Sequence, residues 1–82
     1  MPPVLKQPEF GRLVKELRCR TGLSQEAFAL KVGVSYASIN RWENCRTMPV
    51  QLVVRRVEEV VKDMGDRGQD LLEQFFPEDR GN

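Results

Sequence analysis

The chain has 82 residues, 40% of them hydrophobic and 30% charged, with two cysteines and no histidine. This length allows one domain around one core, no apolar run approaches the ~18 residues of a membrane span, and the lack of histidine removes the commonest general base, the usual triads and ordinary zinc sites. The net charge of +1 conceals an asymmetry: residues 1–56 carry ten Lys and Arg against four Glu, a balance of +6, whereas residues 57–82 carry three against eight Asp and Glu, a balance of −5.

Residues 1–8 hold three prolines and are expected to form a flexible, extended arm. With neither a basic n-region nor an apolar h-region there, no secretory signal is expected, and Cys19 and Cys45 should stay reduced in a cytoplasmic chain. Phe10, Leu13, Val14 and Leu17 fall at i, i+3, i+4 and i+7, which predicts a first helix over Glu9–Arg20. Thr21-Gly22 ends it, with Arg18 and Arg20 near the negative end of its dipole. Ser24 is suited to cap a second helix, Gln25–Val32, whose inner side is Phe28, Ala29 and Val32 and which Gly33 closes. Ser35 caps a third, Tyr36–Asn44. At ~100° per residue, Ile39 and Trp42 share its inner side, Ala37, Asn40, Arg41 and Asn44 lie roughly opposite, and Tyr36 stands at its N-terminal tip.

A loop over residues 45–48 leads to Pro49, which is expected to begin a fourth helix running to about Met64. Val50, Val53, Val54, Val57, Val60 and Val61 form its apolar side; the β-branched composition would suit a strand, but the spacing argues for a helix. Gly65–Gly68 reads as a break, Gln69–Phe76 as a short last helix, and residues 77–82 as fraying. The expected organisation is an arm over 1–8, a helical body over 9–64 and an acidic C-terminal segment over 65–82. The fold class is all-α, a compact bundle of four to five helices.

Two short helices joined by a Gly-containing turn meet the requirements for reading duplex DNA. The major groove, about 12 Å wide, accepts one helix if another props it from behind. The outer face then needs hydrogen-bonding side chains near its N-terminal end and phosphate donors at its edges. Gln25 to Asn44 offers each of these.

The pattern SQEAFALKVGVSYASINRWENCRTMP resembles the helix-turn-helix of the phage repressor and Cro type, the XRE family, over about residues 9–61. The resemblance implies a lambda-repressor-like fold and a prokaryotic, cytoplasmic regulator of transcription that binds double-stranded DNA in the major groove, as a homodimer on DNA. It implies that Tyr36, Ala37 and Arg41 meet base edges, with Asn40 added from the helical wheel. It implies that Gln25, Asn44 and Arg46 lie against the backbone, and that Arg18 and Glu43 pair to tie the first helix to the recognition helix. Arg41 is the strongest candidate for specificity, since arginine bonds guanine O6 and N7 bidentately; a phosphate contact or a solvated side chain is the alternative. Tyr36 could pack on a thymine methyl, bond a phosphate or simply be a surface residue, and Trp42 is expected in the core.

The chain departs from the family pattern in two places. Cys45 stands where glycine is frequent, and the polar MGDRG break precedes the LLEQFF segment. Leu71, Leu72, Phe75 and Phe76 could fold back to cap the core or form a self-association surface. An antitoxin with a protein partner (a toxin) and an adaptor that kept the fold are the alternative functions. No enzyme activity, cofactor, metal or membrane association is expected.

Overall fold

The computed structural model describes residues 5–77. The described residues form α1 (Glu9–Thr21), α2 (Gln25–Val32), α3 (Tyr36–Glu43), α4 (Gln51–Asp63) and α5 (Gln69–Phe75), with a 3-10 turn at Gly65–Gly68. The all-α class and the five-helix order follow the sequence pattern. α1 and α2 both pack on α3, α4 packs on α2 and α5, and α5 reaches back to α1.

Each helix contributes its periodic apolar residues to one core. Phe10, Leu13, Val14 and Leu17 come from α1, Phe28, Ala29 and Val32 from α2, Ile39 and Trp42 from α3, and Val54, Val57, Val60 and Val61 from α4. The Phe10 and Trp42 rings meet edge to face, with centroids 5.5 Å apart, a geometry worth about 0.5–1.5 kcal/mol beyond the area buried. At eight residues each, α2 and α3 are shorter than the roughly 12–15 residues at which an isolated helix becomes even marginal in water. Packing and caps hold them instead: the Ser24 and Ser35 hydroxyls accept from the Ala27 and Ser38 N–H groups at 3.0 and 3.2 Å.

One hydrogen-bond pattern closes α1, α2 and α3. An N–H just beyond the helix returns to the carbonyl five residues earlier, Leu23 to Arg18 at 3.1 Å, Val34 to Ala29 at 3.0 Å and Arg46 to Arg41 at 2.9 Å. This closure needs a left-handed residue just before the returning N–H. Glycine supplies it at Gly22 and Gly33, but after α3 it is Cys45, at φ 60°. A side chain in this region is disfavoured by about 1 kcal/mol or more, partly offset by the greater freedom glycine gives the unfolded chain. Cys45→Gly is therefore expected to stabilise the domain by up to about 1 kcal/mol, read as a thermal-melt midpoint a few degrees higher. A midpoint equal to or below wild type would contradict this account of the turn.

Every helix but α2 differs from the sequence reading at a boundary: α1 runs one residue further, to Thr21, and α4 and α5 stop one residue short of Met64 and Phe76. α3 ends at Glu43, with Asn44 as its cap. Pro49 does not begin α4: Val50 is the N-cap, extended at φ −66° and ψ 159°, and the helix starts at Gln51. Leaving the helical spiral carries the Val50 side chain off the face of Val54, Val57 and Val61, so it is 70% exposed rather than part of the apolar side.

The LLEQFF segment folds back. Leu71 and Phe76 are buried in the core, with Leu72 and Phe75 packed against it. Polar contacts fix the same junction: the Arg20 guanidinium forks onto the Asp70 carboxylate at 2.7 and 2.8 Å and also meets Glu16 at 2.8 Å. Arg67 donates to the Arg20 carbonyl at 2.7 Å, and Arg20 to the Arg67 carbonyl at 2.9 Å. The hydrogen bonds from Arg20 hold the Asp70 carboxyl below its ordinary range. This tether is therefore complete at neutral pH and weakens as the pH falls through that lowered value.

Of the arm expected over 1–8, residues 1–4 lie outside the described residues, as do residues 78–82 of the segment expected to fray. Leu5 lies against the core, and the Gln7 side chain is hydrogen-bonded to three backbone groups. Among the described residues no helix is long and apolar enough to cross a membrane.

Candidate nucleic-acid interface

Helical geometry divides α3 into two sides. At ~100° per residue, Tyr36, Asn40, Asn44, Ala37 and Arg41 fall within an arc of about 140°, with Ile39 and Trp42 on the other side. Ile39 and Trp42 are buried, whereas Tyr36, Ala37, Arg41 and Asn44 are exposed. Tyr36 keeps 51% of its surface in solvent. The Arg41 guanidinium makes no ion pair or side-chain hydrogen bond with the described residues. Its five donors are available to an incoming acceptor.

A polar chain built on a buried charge holds the other edge of α3. Glu43 is only 4% exposed. Arg18, on α1, presents its guanidinium edge-on to that carboxylate, through Nε to Oε2 and through Nη2 to Oε1 at 3.0 Å. Its remaining nitrogen, Nη1, donates to the Leu23 carbonyl in the turn between α1 and α2 at 3.2 Å. The bonds to Glu43 keep the guanidinium charged more firmly than usual, against the opposing effect of burial. One arginine thus ties α1, the following turn and α3 together.

Gln25 extends the chain from α2. Its Nε2 donates to Glu43 Oε1 at 3.1 Å, and its Oε1 accepts from Asn40 Nδ2 at 3.4 Å. Asn44 Nδ2 in turn donates to the Asn40 carbonyl at 2.9 Å and to Asn40 Oδ1 at 3.1 Å. Asn40 is consequently half-buried rather than fully outward, because the start of α2 stands beside its edge of α3. Each amide along this chain retains unused bonding capacity. Gln25 and Asn40 are held in place while still able to bond a ligand.

The candidate residues therefore sort by what positions them. Arg18 and Glu43 meet directly, and Gln25, Asn40 and Asn44 join them in one network. Tyr36, Ala37 and Arg41 stand on the exposed side of the same helix, and Arg46 lies exposed in the turn after it. An open groove lined by Arg18, Ser24, Gln25, Glu26 and Tyr36 runs between the N-terminal ends of α2 and α3, where backbone N–H groups favour an anion.

Two participants were missed in the sequence reading. Gln7 donates to the Trp42 carbonyl in the last turn of α3 and to the Thr47 carbonyl in the loop after it, and no local pattern announces such a contact. Gly11 is buried against the same place, where a Cβ would sit 2.5 Å from the Trp42 carbonyl oxygen. A glycine inside an otherwise helical pattern was the available signal for that close approach.

A family model described as helix-turn-helix matches residues 14–61, a span that takes in most of α1, all of α2 and α3, and α4 nearly to its end. The chain belongs to the XRE-type helix-turn-helix family. No curated protein and no solved structure matches it. The family is one of DNA-binding regulators, not of enzymes, and its match spans the buried ion pair and the exposed side of α3 alike.

Proposed function

We propose that this helix-turn-helix protein is a sequence-specific regulator of transcription that occupies an operator in duplex DNA, with α3 in the major groove. The observation that carries the reading is the contrast within α3. The side bearing Tyr36, Ala37 and Arg41 is exposed and unencumbered, while the core locks the opposite side and the Arg18–Glu43 pair locks the edge between them. A rigid helix presenting free donors is preorganised for base edges, because little conformational freedom remains to be lost on binding.

In this reading Tyr36, Ala37, Asn40 and Arg41 face the bases, while Gln25, Asn44 and Arg46 face the phosphates. Two copies bound as a homodimer would present two α3 helices to half-sites about 34–36 Å apart, one helical turn of DNA. The regulator would act in the cytoplasm, where its DNA is. An antitoxin would need a toxin-binding surface, for which the acidic segment from residue 66 onward is the candidate. Leu71 and Phe76 from that segment are taken up in the core, which favours the operator-binding reading.

Selection of bound duplexes from a random pool tests the proposal. The expected result is enrichment of a short motif containing guanine, repeated with two-fold symmetry; a pool that stays random after successive rounds would refute sequence-specific binding. Arg46→Ala should weaken selected and unrelated duplexes alike and make the slope of log affinity against log salt shallower by about 0.9, the release of one phosphate contact. Filter or fluorescence binding across a salt series reads this directly. An unchanged slope would remove Arg46 from the phosphate contacts.

A further inference from the structure

The Gln7 side chain joins three backbone groups from two separate parts of the chain. Its Oε1 accepts from the Gly11 N–H at 2.8 Å in the first turn of α1, and its Nε2 donates to Trp42 O at 3.1 Å and Thr47 O at 2.7 Å. Only this orientation of the amide satisfies all three partners, since Oε1 meets an N–H and Nε2 meets two carbonyls. The absence of a side chain at Gly11 permits the approach: a Cβ would lie 2.5 Å from Trp42 O and 3.2 Å from Gln7 Oε1. The bond to Thr47 is also the only hydrogen bond joining residues 47–49 to the rest of the described chain. The turn it anchors starts at Cys45, with φ 60°, and carries Arg46.

We infer that Gln7 is a positioning residue for DNA binding: by holding the Thr47 carbonyl it fixes the turn that aims Arg46 at the phosphate backbone. The inference rests on the DNA-binding reading above and deepens it. A surface arginine on a freely moving turn would lose conformational entropy on reaching a phosphate. With its backbone held on both sides, by α3 before it and by Gln7 after it, Arg46 loses less. The start of the chain, remote from the recognition helix in sequence, thus governs one of its backbone contacts.

The test uses the full-length chain with Gln7→Ala, Gln7→Glu, Arg46→Ala and the double variant Gln7→Ala/Arg46→Ala. Affinity for a mixed-sequence duplex is measured across a salt series at a temperature where circular dichroism shows every variant folded. Gln7→Glu keeps an oxygen for the Gly11 N–H but loses both donations, so it separates capping of α1 from holding of the turn. The expected result is three- to tenfold weaker binding by both Gln7 variants, a salt slope reduced as in Arg46→Ala, and a double variant no weaker than Arg46→Ala alone. Gln7 variants that melt lower but bind with wild-type affinity and slope would reduce Gln7 to a purely structural residue and overturn the inference. Additive losses in the double variant would overturn it too. Wild type failing to bind the duplex at any salt would instead overturn the DNA-binding reading, and this inference with it.

Discussion

Glu43→Ala is expected to destabilise the domain by about 2–3 kcal/mol, the range for losing hydrogen bonds to a buried charge, and to lower the melting midpoint by roughly 10–20 °C. The carboxylate has only 3% of its side-chain surface exposed, whereas its partner Arg18 retains 25%. Deleting the acid strands a half-buried guanidinium and leaves the Gln25 amide without its acceptor. The partial exposure of Arg18 keeps the loss below the 3–5 kcal/mol of a fully buried orphaned charge. Removing both charges, as in Arg18→Met/Glu43→Met, should recover much of the stability, because a well-packed apolar pair avoids the desolvation cost. That double variant should still bind DNA poorly, since Gln25 and Asn40 lose the anchor that orients them. Thermal and urea unfolding measure the first effect and duplex binding the second. A Glu43→Ala protein within about 0.5 kcal/mol of wild type, the scatter of ordinary surface substitutions, would contradict the role assigned to the pair.

Arg41→Ala is expected to cost about 1–3 kcal/mol of discrimination between the selected operator and unrelated duplexes, the worth of one bidentate arginine–guanine contact. Stability should be nearly untouched, because the guanidinium makes no ion pair or hydrogen bond with another described side chain. Affinity for unrelated DNA should fall far less than affinity for the operator. The effect should also concentrate at one base pair per half-site, where the variant becomes indifferent to substitution. Competition binding against operators altered one position at a time makes the comparison. Equal losses on operator and unrelated DNA would reassign Arg41 to the phosphate backbone.

Much of the fold was legible because the apolar periodicity is nearly uninterrupted. Phe10, Leu13, Val14 and Leu17 announce α1, and the valines of α4 declare a helix against their own β-propensity. Serine caps and glycine stops placed the ends of α2 correctly. Boundaries failed where two conformations satisfy the same residue: Pro49 tolerates either the first helical position or the extended backbone before it, and the chain takes the latter. The candidate interface was legible in part. Exposure of Tyr36, Ala37 and Arg41 follows from the helical wheel alone. The half-buried state of Asn40 does not, because it depends on how α2 is placed beside α3. Gln7 lay beyond reach for the same reason: its partners Trp42 and Thr47 are 35 and 40 residues away in sequence, and nothing local encodes that pairing.

The central claim is that α3 and the residues flanking it, rather than any other surface, meet DNA. Titrating the isotopically labelled chain with its selected duplex and following every backbone amide by NMR tests this most directly. The predicted result is that shifts concentrate at the start of α2 around Gln25, along the exposed side of α3 and in the turn around Arg46, with α5 and the outer face of α4 unmoved. Perturbation centred on α4 or α5, or none at saturating DNA, would contradict it.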